Sequence, residues 1–382
     1  MILSNVNNTP LRPFEPMVLD CLGDISAAIL KSPVGRQFPD LTAFAFYIRK
    51  ANLQKLEAAL SLGEIRLGRG LCFHVAPANI PVNFAFTWVF SLLAGNANIV
   101  RLPSKDFPQV NALLAIINAA LDKYPELKER NAFVKYPRTD NETTAAYCQM
   151  ADCRMIWGGD RTIAAIKALP ARPRCVDICF ADRYSVALIN ADAVMAADEA
   201  QMARLVEGFY NDTYLMDQNA CSSPQVILWE HDSHQARERF WGAVEELAKR
   251  KYVLQDAVAV DKYTLFCEEA VGNGNIQSVT HKGNLLYRVE LKSLPQDVIL
   301  HRGKAGFFFE YALKDRGELF KVVTEKFQTV TQFGIDSAEL ARQVASAHLR
   351  GIDRIVPIGQ AMNIGVVWDG FDLVRSLSRV IG

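Results

Sequence analysis

The chain has 382 residues, half of them hydrophobic, and 42 Lys and Arg balance 42 Asp and Glu. At ~150 residues per domain this length predicts two or three domains, and the scattered, balanced charge gives no electrostatic reason for nucleic acid or an anionic membrane as a main partner. No apolar stretch reaches the ~18 residues of a membrane span, and "MILSNVNNTPLRPFEP" lacks the charged start and apolar core of a secretory leader, so a soluble, cytoplasmic protein is expected.

Residues 17–32 and 40–61 carry apolar positions three and four apart and are predicted helical. After "GEIRLGRG" the pattern changes to short apolar runs at 71–75, 98–100, 132–136, 154–157 and 176–180. These alternate with helical stretches over 83–94, 108–121, 141–150 and onward from Asp160. Such alternation means crossover units on a parallel sheet, the architecture of nucleotide-binding domains. A second series follows, with strands at 185–190, 225–229 and "GFFFEY" and helices over 195–210 and 233–250. The boundary is placed in "ADRYS", 181–185. This gives an N-terminal region 1–182, a second α/β domain 183–350, and a C-terminal segment 351–382 expected to pack back near their junction.

The eight cysteines show no tight pairs of metal-site spacing, and His231 and His234 lie in the polar "EHDSHQARER" at a helix start, so no metal is expected. Four short stretches carry more chemistry. In "HVAPANIPVNF", 74–84, prolines frame Asn79 between a strand and a helix; its amide can donate to an oxyanion or cap the helix. "LLAGNANIVRLPSK", 92–105, ends a helix at Gly95 and Asn96 and leads through a buried strand to a cationic loop. "IWGGDRTI", 156–163, places Gly158 and Gly159 before a helix, where a pyrophosphate could approach the N-terminus, and Asp160 also suits an N-cap. In "DQNACSSPQ", 217–225, Cys221 sits among small polar residues before a strand, as a core thiol or as a nucleophile.

The order of these stretches resembles the aldehyde dehydrogenase superfamily. More closely, "DQNACSSPQ", "FFFEY", "KFQTVTQFG" and "GIDRIVPIGQAMNIGVVWDGFDLVRSLSR" resemble the acyl-CoA reductase family of the bioluminescence fatty acid reductase. The resemblance runs from about residue 71 to the C-terminus. It implies an α/β, aldehyde dehydrogenase-like fold with a Rossmann-type cofactor domain and a catalytic domain carrying Cys221 as nucleophile. Asn79 and the Cys221 backbone N–H would form the oxyanion hole. Gly158, Gly159 and Asp160 would lie under the cofactor, Arg101, Ser104 and Lys105 near its adenosine ribose, and Glu310 either on the nicotinamide-side ribose or as an edge-strand charge.

Two departures direct the expected reaction. Aldehyde-oxidising members carry a glutamate base in "ELGGK"; the matching segment here is "CVDICFADRYS", with Cys179 at about that place. Without that base an acyl-enzyme thioester survives to meet a thiol or a hydride, so the resemblance implies acyl transfer and reduction. Lys105 replaces a glutamate common in NAD-using members, which favours NADPH over NADH. The expected reaction is NADPH-dependent reduction of an acyl thioester to an aldehyde, with coenzyme A as leaving group. The alternatives are the reverse, CoA-acylating oxidation, and a non-catalytic nucleotide-binding scaffold. The resemblance also allows an acyl-protein synthetase as acyl donor. A superfamily hairpin is nearly absent, which leaves a homo-oligomer undecided.

Overall fold

The computed structural model of the protein describes residues 6–77 and 80–382. The chain divides into two compact units, Met1–Ala181 with Val366–Gly382, and Asp182–Gly365. Residues 351–382 form no separate segment: those up to Gly365 belong to the second unit and those from Val366 to the first.

The first unit contains strands Arg66–Gly68 (β1), Leu71–Val75 (β2), Ala97–Arg101 (β3), Asn131–Val134 (β4), Cys153–Trp157 (β5) and Val176–Phe180 (β6). Strands β2 to β6 form a parallel sheet in the order β4-β3-β2-β5-β6. All five residues of β2 are buried, as a central parallel strand covered on both faces requires. The helix predicted over 40–61 is interrupted: helices Pro39–Tyr47 and Lys50–Leu60 meet at Arg49, which is extended and caps the second. His74 on β2 is fully buried between Thr87 and Asn98, 3.0 Å from each, and belongs to the core.

The second unit contains Tyr184–Asn190 (β7), Pro224–Glu230 (β8), Ile276–Lys282 (β9), Leu286–Leu291 (β10), Phe307–Ala312 (β11), Phe327–Phe333 (β12) and Arg354–Pro357 (β13). Their order is β13-β12-β7-β8-β11-β10-β9, parallel except for β9 against β10. One face packs Val206 and Phe209 of helix Glu199–Thr213 and Phe240 and Trp241 of helix His234–Lys251 into a core with Trp229 and Phe308. The other face holds a core around Leu188, Leu228, Phe309 and Val330. Helix Asp256–Gly272 and the β9–β10 hairpin were not foreseen from periodicity.

Chain Val366 to the end rejoins the first unit through Val367–Trp368 (β14), Phe371–Asp372 (β15) and Ser378–Val380 (β16). Strand β16 pairs antiparallel with β1, Arg66 opposite Val380. Asn96 Nδ2 donates to Leu377 O at 3.0 Å and Arg69 Nε to Ser376 O at 2.7 Å, fixing this tail. Among the described residues no helix is long and apolar enough to cross a membrane, and no cluster of three His, Cys, Asp or Glu could hold a metal ion.

Candidate active site

The "DQNACSSPQ" loop connects a short 3-10 turn, Tyr214–Met216, to β8. Asp217 and Gln218 take φ of 50° and 58°, two successive left-handed residues without glycine, a conformation that persists only where neighbours enforce it. Gln218 supplies that enforcement from a position 2% exposed. Its Oε1 accepts from Gly306 N–H at 2.8 Å and its Nε2 donates to Phe307 O at 3.1 Å. Gln225 Nε2 donates back to Gln218 O at 3.0 Å. Cys221 follows this braced turn, half-buried, at the amino-terminal end of β8. Ser185 Oγ, at the start of β7, donates to Cys221 O at 2.7 Å.

Cys221 lines a cavity of about 510 Å³ within the second unit, together with Gln218, Ser223, Gln225, Thr264, Leu265 and Gly303. Its charged lining is largely paired: Arg302 with Asp182 at 3.0 Å, Lys304 with Asp261 at 3.0 Å, and Arg183 with Asp353. Ser223 Oγ and Gln225 Oε1 are buried without a hydrogen-bond partner. A buried polar atom left unmatched costs about 1–3 kcal/mol. Behind the wall, Lys262 is fully buried, donates to Ala305 O at 2.9 Å and to Asn284 O, and is pushed down to about 8 by burial.

The glycine turn lies in the first unit. Arg101, Ser104, Gly158 and Gly159 line one cleft of about 200 Å³ with Val75–Pro77, Trp157 and Thr162, at the carboxyl ends of β2, β3 and β5. This is where open parallel sheets bind ligands. Gly159 is the N-cap of helix Asp160–Lys167, and a Cβ built on it meets nothing within 4 Å, so the turn is open to a group the size of a phosphate. Asp160 is the first helical residue and is exposed, rather than the cap. Arg101 stacks over Tyr136 at 4.6 Å. Lys105 is exposed, lies 5.2 Å over Phe107, and is not among the residues lining the cleft. The cleft's second cation is Arg138, whose Nη2 donates to Thr162 Oγ1 at 3.1 Å. The sequence reading missed Arg138; its only signal was a cation in the loop "YPRTD" just after a strand.

Asn79 lies outside the described residues. Glu310 departs from its expected place in both respects. It stands on β11, inside the sheet between β8 and β10, so it is no edge charge. Only 1% of it is exposed, and its oxygens accept from Trp229 Nε1 at 2.9 Å, Trp241 Nε1 at 2.6 Å and Arg288 Nε at 2.7 Å. Three donors in a buried network leave it a structural carboxylate, and the ribose role is withdrawn.

The decisive comparison is with families: residues 61–380 match acyl-CoA reductase (LuxC). The chain belongs to the acyl-CoA reductase (LuxC) family. Membership makes the protein an oxidoreductase that reduces acyl groups to aldehyde. Solved structures show the same fold. A putative aldehyde dehydrogenase from Burkholderia cenocepacia is 15% identical with TM-score 0.62, covering 97% of this chain and 84% of that one. Aldehyde dehydrogenase 21 from Physcomitrella patens, in complex with the reaction product succinate, is 12% identical with TM-score 0.65 (96% and 85%). An NAD-dependent benzaldehyde dehydrogenase from Corynebacterium glutamicum is 13% identical with TM-score 0.62 (95% and 84%). The acyl-CoA reductase is therefore aldehyde dehydrogenase-like in fold. A comparison with curated proteins gives no match.

Proposed function

We propose that this acyl-CoA reductase forms an acyl-cysteine at Cys221 and releases an aldehyde, using NADPH. The observation that carries the reading is the braced turn that presents Cys221 to a polar cavity. The thiolate attacks the acyl carbonyl, a new C–S bond forms, and the donor thiol leaves as coenzyme A. Asn79 and the Cys221 backbone N–H stabilise the oxyanion in this step, as the family resemblance implies. Burial pushes the Cys179 thiol up, so the residue that the resemblance sets in place of the superfamily's glutamate base stays protonated at neutral pH.

The cleft residues fit a nicotinamide dinucleotide: Gly158 and Gly159 would admit its pyrophosphate, with Asp160 alongside, and Arg101, Ser104 and Arg138 would hold the adenosine side, with Lys105 near its rim. Two arginines on the cleft favour the 2′-phosphate of NADPH. When bound, that cofactor supplies the hydride. The chain's part is then to hold the acyl carbon on Sγ and recover the thiolate as the aldehyde leaves. Incubating the protein with acyl-CoA esters of graded chain length and NADPH, while following cofactor absorbance, tests the reading. Acyl-dependent oxidation of NADPH with aldehyde formation is expected, and its absence with every ester rejects it.

A further inference from the structure

The loop after β13, residues 358–363, is clamped from two sides. Asp212, 1% exposed on helix Glu199–Thr213, accepts from Gly359 N–H at 2.6 Å and Ala361 N–H at 2.9 Å. Arg354, on β13, donates to Ala361 O at 2.7 Å, Gln360 O at 2.7 Å and Asn363 O at 2.9 Å. Gly359, at φ +97°, sits so close to the helix that a Cβ on Gly208 would come within 2.9 Å of its Cα. Inside this clamped loop, Met362 Sδ accepts from Ser222 Oγ at 3.6 Å, so the loop ends against the residue that follows Cys221.

A second path leads to the same place. Arg354 is in register with Thr329 on β12. Thr329 N–H donates to Ser185 Oγ at 3.2 Å, and Ser185 donates to the Cys221 carbonyl. The carbonyls of Ala361 and Asn363 that the Arg354 guanidinium holds flank Met362, whose Sδ meets Ser222 beside Cys221; burial depresses Arg354, and the charge of Asp212 and then that of Cys221 oppose the depression. The cations that line the cavity, Arg302, Lys304 and Arg183, each have a carboxylate partner in Asp182, Asp261 and Asp353, and Glu268 adds negative charge, so Arg354 acts from outside that lining.

We propose that Arg354 supplies the positive charge that holds the Cys221 thiolate, and that its three main-chain carbonyl contacts and the Asp212 clamp keep it in place. The proposal rests on Cys221 being the nucleophile. A nearby cation makes a thiolate more abundant at neutral pH, and the thiolate is the reacting species.

The test measures alkylation of Cys221 by iodoacetamide at pH 7.0 and pH 9.5, read by mass spectrometry of the peptide. The ratio of the two rates cancels differences in access, and Cys267, half-buried on helix Asp256–Gly272, is the internal reference. In the wild type the pH 7.0 to pH 9.5 ratio for Cys221 should exceed that for Cys267 by about tenfold, the effect of one unit of thiol acidity. Arg354→Gln should lower the Cys221 ratio by about tenfold, with rates at pH 9.5 within about twofold of wild type. Arg354→Lys, which keeps the charge, should stay within about threefold of the wild-type ratio, and it decides the matter with the wild type should the glutamine variant fail to fold. A Cys221 ratio no higher than that of Cys267, or unchanged in Arg354→Gln, or as low in Arg354→Lys as without the charge, overturns the proposal. Acyl transfer is scored separately with labelled acyl-CoA: a favourable alkylation ratio without label on Cys221 rejects the reductase chemistry and leaves the role of Arg354 standing.

Discussion

Ser185 Oγ and the Cys221 carbonyl lie 2.7 Å apart, and the same hydroxyl accepts from Thr329 N–H at 3.2 Å, so one buried serine ties the cysteine turn to two neighbouring strands. Ser185→Ala leaves that carbonyl and that amide without their partner, at about 1–3 kcal/mol. Turnover is expected to fall by about tenfold, with a measurable loss in melting temperature. Unchanged values of both would mean the tie does not hold the turn.

Cys221→Ser removes the nucleophile and keeps the volume. Labelled acyl-CoA should mark the wild type at Cys221 and leave the variant unmarked, and reduction should drop to background. Binding of NADPH, which we assign to the first unit, should be unaffected. Comparable turnover in the variant would rule out the covalent route.

The arginines of the cleft give a cofactor prediction with a sign. A charge-assisted hydrogen bond is worth roughly 1.5–3 kcal/mol, so Arg138→Gln should weaken NADPH by about tenfold or more and leave NADH nearly unchanged. Lys105→Glu, by adding repulsion outside the cleft lining, should shift preference toward NADH by a smaller factor. Dissociation constants for both cofactors measure this, and an unchanged ratio in Arg138→Gln dismisses the phosphate assignment.

Asp212 predicts a pH effect. Burial pushes its carboxyl up to about 6 from an ordinary 3.8, against the pull of the Gly359 and Ala361 amides and of Arg354. Below pH 3.8 both folded and unfolded chains hold the proton; between 3.8 and 6 only the folded chain does, so stability declines as pH rises through that window. The difference spans on the order of 3 kcal/mol at 1.36 kcal/mol per unit. Asp212→Asn lacks this slope, so the stability of the variant relative to wild type should rise from pH 4 to pH 7 in denaturant titrations. A difference independent of pH would show that the carboxyl titrates normally.

The alternation of short apolar runs with amphipathic stretches revealed the parallel sheets, because central strands such as β2 are buried throughout and read as short, mostly apolar segments, His74 being the one polar residue of that strand. Cys221 stood out because small polar residues surround it where a core would place bulk. What stayed hidden were relationships with no local signal. Arg354 and Asp212 are 142 positions apart, and only the fold sets them on one loop. Glu310 misled because "FFFEY" gives the sequence of a buried strand but not the two tryptophans and the arginine that claim its carboxylate. Helix Asp256–Gly272 escaped because little of it is buried, so it shows no apolar stripe.

The pairing of β16 with β1 bears on how the polypeptide is made. The first unit is the earlier one to leave the ribosome, yet its last strand is translated only after the whole of the second unit. The second unit, encoded without interruption between Asp182 and Gly365, has all its strands available sooner. Synthesis therefore favours an inverted order of maturation, in which the cysteine-bearing half is finished while the other waits, with Asn96, Arg66 and Arg69 holding open the places that Leu377, Ser378 and Ser376 will take.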